Sequence, residues 1–256
     1  MIASRARRIG VLAYTLRARE YARRVFRAAG YAPLVFISID ELIEFGPDAS
    51  TLEALLVGDA PAADNVGRPV LQSVRELVGP KVPLLHAQLG RDAGSVPPAI
   101  DVASASARYF ADVCMVVLSL LEAVGIDKAP LKMTWGDYTF EPTRRMVVFG
   151  GRQARLDPVA FDIALELFFR AGQLVRKRTL IQMLPQNEQG VERRRIDNIG
   201  SVIKELRSSL RLRGLHGWHL ETLPHLGYRL AQTGSRSKHA PTAVDLQSAQ
   251  VFSPAC

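Results

Sequence analysis

The chain has 256 residues, 48% of them apolar and 23% charged, with 33 Lys and Arg against 25 Asp and Glu for a formal net charge of +8. That length allows two ordinary domains, each with its own core, and the apolar share marks globular material. Cys114 and Cys256 lie too far apart in kind to suggest a disulfide framework, one inside an apolar helical stretch and one at the last position.

The most apolar stretch, Phe110 to Ile126, carries Asp112 and Glu122 and is too short to span a bilayer comfortably. The basic opening "MIASRARRIGVLAY" lacks the apolar run of a secretory leader. A cytoplasmic chain with no membrane association is expected, and Cys114 reads as a buried structural thiol.

The charge is unevenly divided. Residues 1–126 carry 13 basic and 13 acidic side chains, whereas residues 127–256 carry 20 against 12. Within the second half, Arg170 to Arg213 holds 11 basic residues and only Glu188, Glu192, Asp197 and Glu205 as acids. A concentrated positive field of this kind draws polyanions by releasing their counterions, nucleic acid above all.

In chain order, "RIGVLAY" predicts a strand, "LRAREYARRVFRAAG" a helix closed by Gly30, "APLVFIS" a strand, "IDELIEFG" a short helix and "LEALLVGD" a strand. "GRPVLQSVRELVG" follows as a helix, "KVPLLHAQ" and "PPAIDVAS" as strands, and Ala105 to Gly125 as a long helix. Five strands interleaved with helices imply a doubly wound parallel sheet, which places its chemistry beyond the carboxyl ends of the strands.

Pro130 marks a boundary in "GIDKAP". Beyond it, "LKMTWGDYTFEPTRRMVVFGGRQARL" reads as three strands of a small antiparallel sheet. Three helical patterns follow: Pro158 to Ala171, Arg178 to Leu184, and Glu192 to Leu212, the last with Ile196, Ile199, Ile203, Leu206 and Leu210 on one side. "GWHLETLPHLGYRL" is a hairpin, alternating on either side of a turn-prone break. From about residue 232 the composition predicts a disordered tail.

Helix, short helix, long basic helix and terminal hairpin, in that order, make a winged helix-turn-helix. "LRSSL" and "ETLPHLGYRL" resemble the closing signature of the OmpR/PhoB-type effector domain of bacterial response regulators. The strands before them are similar to that family's preceding sheet, and "LVRKRTLIQML" to its second helix. The resemblance covers about residues 131–231. It implies an α+β domain whose third helix enters the major groove of promoter DNA and whose wing lies over a minor groove. It also implies that "MLPQNEQGVE" contacts RNA polymerase and that the chain acts as a homodimer on paired half-sites. Three departures stand out. Ala160-Phe161 replaces an acidic residue before the aromatic, Pro224 stands where a basic residue is common, and matching Ile196-Asp197 to the usual opening leaves "LRSSL" three residues late. An extra turn and a shifted register both remain open.

With the apolar stripe turned inward, Asn198, Ser201, Lys204 and Arg207 are expected to approach bases, because amide and guanidinium groups match base edges. Arg176, Lys177, Arg178, Arg193 and Arg194 are expected on phosphate, and Thr222, His225 and Arg229 on the wing. Gly227 should permit the tight return of the wing strand, with Tyr228 packing inward.

The first half resembles the receiver domain that precedes this effector, a CheY-like or flavodoxin-like sheet. In that family an acidic pair binds Mg²⁺, an Asp after the third strand accepts phosphate, a hydroxyl follows the fourth strand and a Lys the fifth. Here only Asp59 fits; the acidic pair falls on Ala13-Tyr14, His86-Ala87 supplies no hydroxyl, and "AIDVASASARYF" has no Lys. The resemblance therefore implies a degenerate receiver over residues 7–126, joined through residues 127–130 to the winged helix. Such a regulator would work without phosphorylation; a phosphorylation-dependent regulator using Asp59, or a winged helix that binds protein, are the alternatives. The apolar last receiver helix, with Phe110, Val113, Val117, Leu120, Leu121 and Val124, could bury its own core or cover a partner.

No glycine-rich phosphate loop follows the first strand, there is no nucleophile elbow, and the five histidines lack metal-ligand spacing. Enzymatic activity, a cofactor and a metal site are not expected.

Overall fold

The computed structural model describes residues 8–64, 66–89, 103–107, 109–125, 131–184 and 192–233, giving backbone alone for 88, 89, 103–106 and 192–198. The expected linker, nearly all of the expected tail and most of "MLPQNEQGVE" lie outside the described residues.

The first domain is built on strands β1 (Ile9–Ala13), β2 (Leu34–Phe36), β3 (Ala54–Gly58), β4 (Leu84–Leu89) and β5 (Ala103–Ala107). They form one parallel sheet in the order β2-β1-β3-β4-β5. This is the flavodoxin-like order. The inner strands β1 and β3 are buried end to end because both faces are covered. Ile9, Val11, Ala54 and Leu56 face one apolar cluster with helices α1 (Leu16–Ala28) and α4 (Phe110–Ala123). Leu12, Leu55 and Val57 face a second with α2 (Ile39–Glu44) and α3 (Val70–Val78). The Thr15 hydroxyl caps α1 by accepting the Ala18 N–H at 3.2 Å, and the chain leaves that helix through Gly30 at φ +86°.

Two expectations shift along the chain here. β5 lies at Ala103–Ala107, later than the expected residues 97–104, and the helix begins at Phe110 and not Ala105. The strand is an Ala-Ser alternation of low β propensity, so its pairing with Leu85–Leu89 decides it.

The second domain opens with four antiparallel strands and not three: β6 (Met133–Trp135), β7 (Tyr138–Glu141), β8 (Met146–Phe149) and β9 (Arg152–Arg155). Pro142 starts a 3-10 turn and Arg145 takes φ +50°, which separates β7 from β8 within the stretch expected as a single strand. Then come α5 (Pro158–Phe169), β10 (Leu174–Arg176), α6 (Lys177–Ile181), α7 (Glu192–Ser209), β11 (Trp218–Leu223) and β12 (Gly227–Gln232). The last strands pair in the order β10-β12-β11, so the expected hairpin carries a third strand.

An aromatic core holds this domain together: Phe168 touches Trp135, Tyr138, Phe140 and Trp218 at centroid separations of 4.9 to 5.6 Å. The Tyr138 hydroxyl donates to the Leu210 carbonyl at 2.7 Å, tying the sheet to the chain just beyond α7. The apolar residues of α4 are core: Phe110, Val113, Val117, Leu120 and Leu121 are all at most 3% exposed.

Candidate nucleic-acid interface

α7 presents two unlike faces. Ile199, Ile203 and Leu206 are buried, and Leu210 continues that stripe, as the spacing of three and four requires. Ser201, Lys204, Glu205 and Ser208 are exposed on the other side. The backbone of the first turn is helical from Glu192, while the side chains of Arg193, Arg194 and Asn198 lie outside the described residues.

The segment that precedes α7 adds cations close in sequence. Arg176 and Arg178 are exposed and Lys177 is half-buried, at the junction of β10 and α6. The Lys177 N–H donates to the Leu226 carbonyl at 3.2 Å, which places this basic run beside the wing turn. Arg211 and Arg213, just past α7, are exposed as well. Sequence reading counted them in the basic stretch but gave them no role; their signal was the Arg-Leu-Arg alternation after the helix.

The wing is the β11–β12 hairpin, closed by the Leu226 N–H to the Leu223 carbonyl at 3.1 Å. Pro224, His225 and Leu226 are exposed at its tip, with His225 in the left-handed region at φ +63°. Gly227 is required by close approach: a Cβ there would lie 2.1 Å from the Val175 carbonyl oxygen of β10. Tyr228 packs inward at 6% exposure, as expected.

Three of the expected DNA contacts are engaged within the chain. Arg207 Nε donates to the Leu220 carbonyl at 2.9 Å, and its Nη2 donates to the Thr222 hydroxyl at 2.7 Å. Arg229 makes a two-pronged contact with one Glu221 oxygen, at 2.9 and 2.7 Å. Arg207 and Thr222 therefore fix the wing to α7, and Arg229 pairs across the hairpin.

At the carboxyl ends of the parallel strands, Asp59 takes φ +50°, a conformation that Asp tolerates better than most residues. Its Oδ2 accepts the Thr15 hydroxyl at 2.5 Å, and its N–H donates to the Ala87 carbonyl at 3.0 Å. This carboxylate supports the cap of α1. His86 is 2% exposed, and burial depresses its pKa, against a smaller upward pull from Asp59. The Tyr14 hydroxyl is raised by burial and then by the Asp40 carboxylate. Asp64, five residues beyond Asp59, accepts the Arg68 and Val66 N–H groups, and the Arg68 bond above all lowers its pKa. Among the described residues no group of three His, Cys, Asp or Glu side chains is placed to hold a metal ion. No described helix is long and apolar enough to cross a membrane.

No family model and no curated protein matches the sequence. Solved structures do. The chain is similar to OmpR/PhoB response regulators and their DNA-binding domains. The Thermotoga maritima OmpR/PhoB homologue DrrB is 16% identical over 89% of this chain and 100% of its own, with a TM-score of 0.34. The Klebsiella pneumoniae RstA DNA-binding domain, solved with the RstA box, is 27% identical over 39% of this chain and 96% of its own, with a TM-score of 0.32. A streptococcal redox sensor evolved from two-component response regulators is 13% identical over 88% of this chain and 100% of its own, with a TM-score of 0.33. With TM-scores of this size, the functional reading rests on the chain's own residues and topology.

Proposed function

We propose that this chain is a transcription regulator of the response-regulator type that binds double-stranded promoter DNA through α7 and the wing. The single observation that carries the reading is the exposed polar face of α7, with Ser201 and Lys204, flanked by Arg176, Lys177 and Arg178 and braced to the wing by Arg207. A helix of 18 residues on a buried apolar stripe has the reach to enter a major groove. In this reading Arg193 and Arg194 contact phosphate and Asn198 contacts bases. His225, exposed at the wing tip, approaches the backbone.

Regulation does not pass through phosphate on Asp59. Mg²⁺ needs several hard oxygen ligands, yet Ala13-Tyr14 stand at the end of β1, and the Asp59 carboxylate is already bonded to Thr15. The first domain serves as a scaffold that brings two copies to paired half-sites, and residues 183–192 meet RNA polymerase. The chain performs no chemistry of its own.

The test is fluorescence anisotropy of the full chain on duplex DNA across a salt series. Binding whose log affinity falls linearly with log salt is expected, with a slope of about −0.9 per phosphate neutralised. Failure to bind any duplex at low salt, or salt-insensitive binding to a protein, would overturn the reading.

A further inference from the structure

Between the domains lies a carboxylate that the proposed DNA surface does not use. Asp162, on α5, is 2% exposed. Its oxygens accept the Phe110 N–H at 3.0 and 3.1 Å and the Tyr21 hydroxyl at 3.3 Å, with the Arg17 guanidinium 3.9 Å away. All three partners belong to the first domain. Phe110 opens α4, and the leading N–H groups of a helix have no acceptor within it. This one is satisfied from across the domain boundary.

The surrounding contacts hold that boundary closed. Glu166, one turn along α5, pairs with Arg24 of α1 at 2.7 Å and with Arg170 on its own domain. Arg24 also lies over the Phe169 ring at 4.3 Å, and Phe169 in turn meets Phe110 at 6.0 Å. At the side, Arg145 reaches Asp112 at 3.2 Å.

The charged and titratable groups facing Asp162 are Arg17 and Tyr21 from α1, Asp112 and Cys114 from α4, and Glu166 on its own helix, which Arg24 and Arg170 neutralise. One cation at 3.9 Å, itself 29% exposed, does not replace the lost hydration of a buried carboxylate. Burial therefore pushes Asp162 up to about 7, against the opposing pull of the Phe110 N–H, Arg17 and Tyr21.

We propose that Asp162 is a proton-controlled latch between the two domains: protonated, it seats α5 against α1 and α4; ionised, it loosens that seat. The protonated acid still accepts the Phe110 N–H through its carbonyl oxygen, so docking keeps that hydrogen bond and sheds the buried charge. Released from the interface, the carboxyl returns to the ordinary range of about 4. Its folded value is thus raised. Docking is fully supported below about pH 4 and declines as pH rises through about 7, by at most tenfold per unit because one proton is exchanged. Lys204 and Arg178 are exposed while the domains are docked, so closing the latch leaves the proposed DNA surface uncovered.

The experiment is hydrogen exchange of the Phe110 amide by NMR on the full chain from pH 5 to 8, each rate divided by its intrinsic value. We expect protection at Phe110 to fall with rising pH by up to tenfold per unit, while Val11 and Leu56 in the sheet core hold constant. In Asp162→Asn, folded by circular dichroism, Phe110 protection should be flat. Arg17→Ala keeps the carboxyl but removes its cation and should move the transition to higher pH. A flat profile in the natural chain, or the same slope in Asp162→Asn, would overturn the latch. Neither outcome depends on DNA binding.

Discussion

The Arg207 guanidinium spans from α7 to the wing, its Nη2 donating to the Thr222 hydroxyl at 2.7 Å while Nε donates to the Leu220 carbonyl at 2.9 Å. Arg207→Ala removes both bonds, each worth about 1 kcal/mol. The wing then loses its brace, so affinity should fall by a similar factor on every duplex. Anisotropy on a selected site and on random sequence compares the two losses; a deficit confined to the selected site would put Arg207 on a base.

Lys204 and Arg178 are exposed on the proposed DNA face, and among the described residues neither side chain makes an ion pair. Replacing either with Ala should leave thermal stability within about 0.5 kcal/mol. The slope of log affinity against log salt should shrink by about 1 for each phosphate contact removed. An unchanged slope would remove that side chain from the interface.

Asp59 accepts the hydroxyl that caps α1. Asp59→Asn should therefore leave DNA affinity unaltered, and Thr15→Ala should cost about 1 kcal/mol in denaturant unfolding through the lost cap. Incubation with a small-molecule phosphodonor and Mg²⁺ should leave the intact mass unchanged. A mass gain equal to one phosphate, absent in Asp59→Asn, would restore the phosphorylation-dependent alternative.

Gly227 is the point where β12 passes β10 most closely. A methyl group there meets backbone atoms, which cannot swing aside. Gly227→Ala should destabilise by about 3 kcal/mol, the upper range for overpacking. Urea unfolding followed by tryptophan emission reports it, since Trp218 lies on the partner strand β11; a loss below 1 kcal/mol would mean that β10 can shift away from the wing.

The parallel sheet was legible because β1 and β3 are continuous apolar runs, and α7 because its stripe recurs at three and four. β10 was not legible: three residues, Leu174 to Arg176, are too short for any period, and only β12 makes them a strand. The roles of Arg207 and Arg229 were hidden for another reason. A guanidinium on a polar face reads the same whether it meets phosphate or a neighbour, and the neighbours here, Leu220, Thr222 and Glu221, come from a distant part of the chain. Asp162 was masked similarly, since an acid inside an apolar helix gives no hint that a second domain will cover it.

α4 is walled in by its own sheet and α1 on one side and by the second domain on the other, leaving Met115, Ser119, Glu122 and Ala123 as its open positions. Copies that paired through the apolar residues of this helix would first have to pry the halves of each molecule apart. Self-association along that route and separation of the halves would then rise and fall together, as one equilibrium seen from two sides.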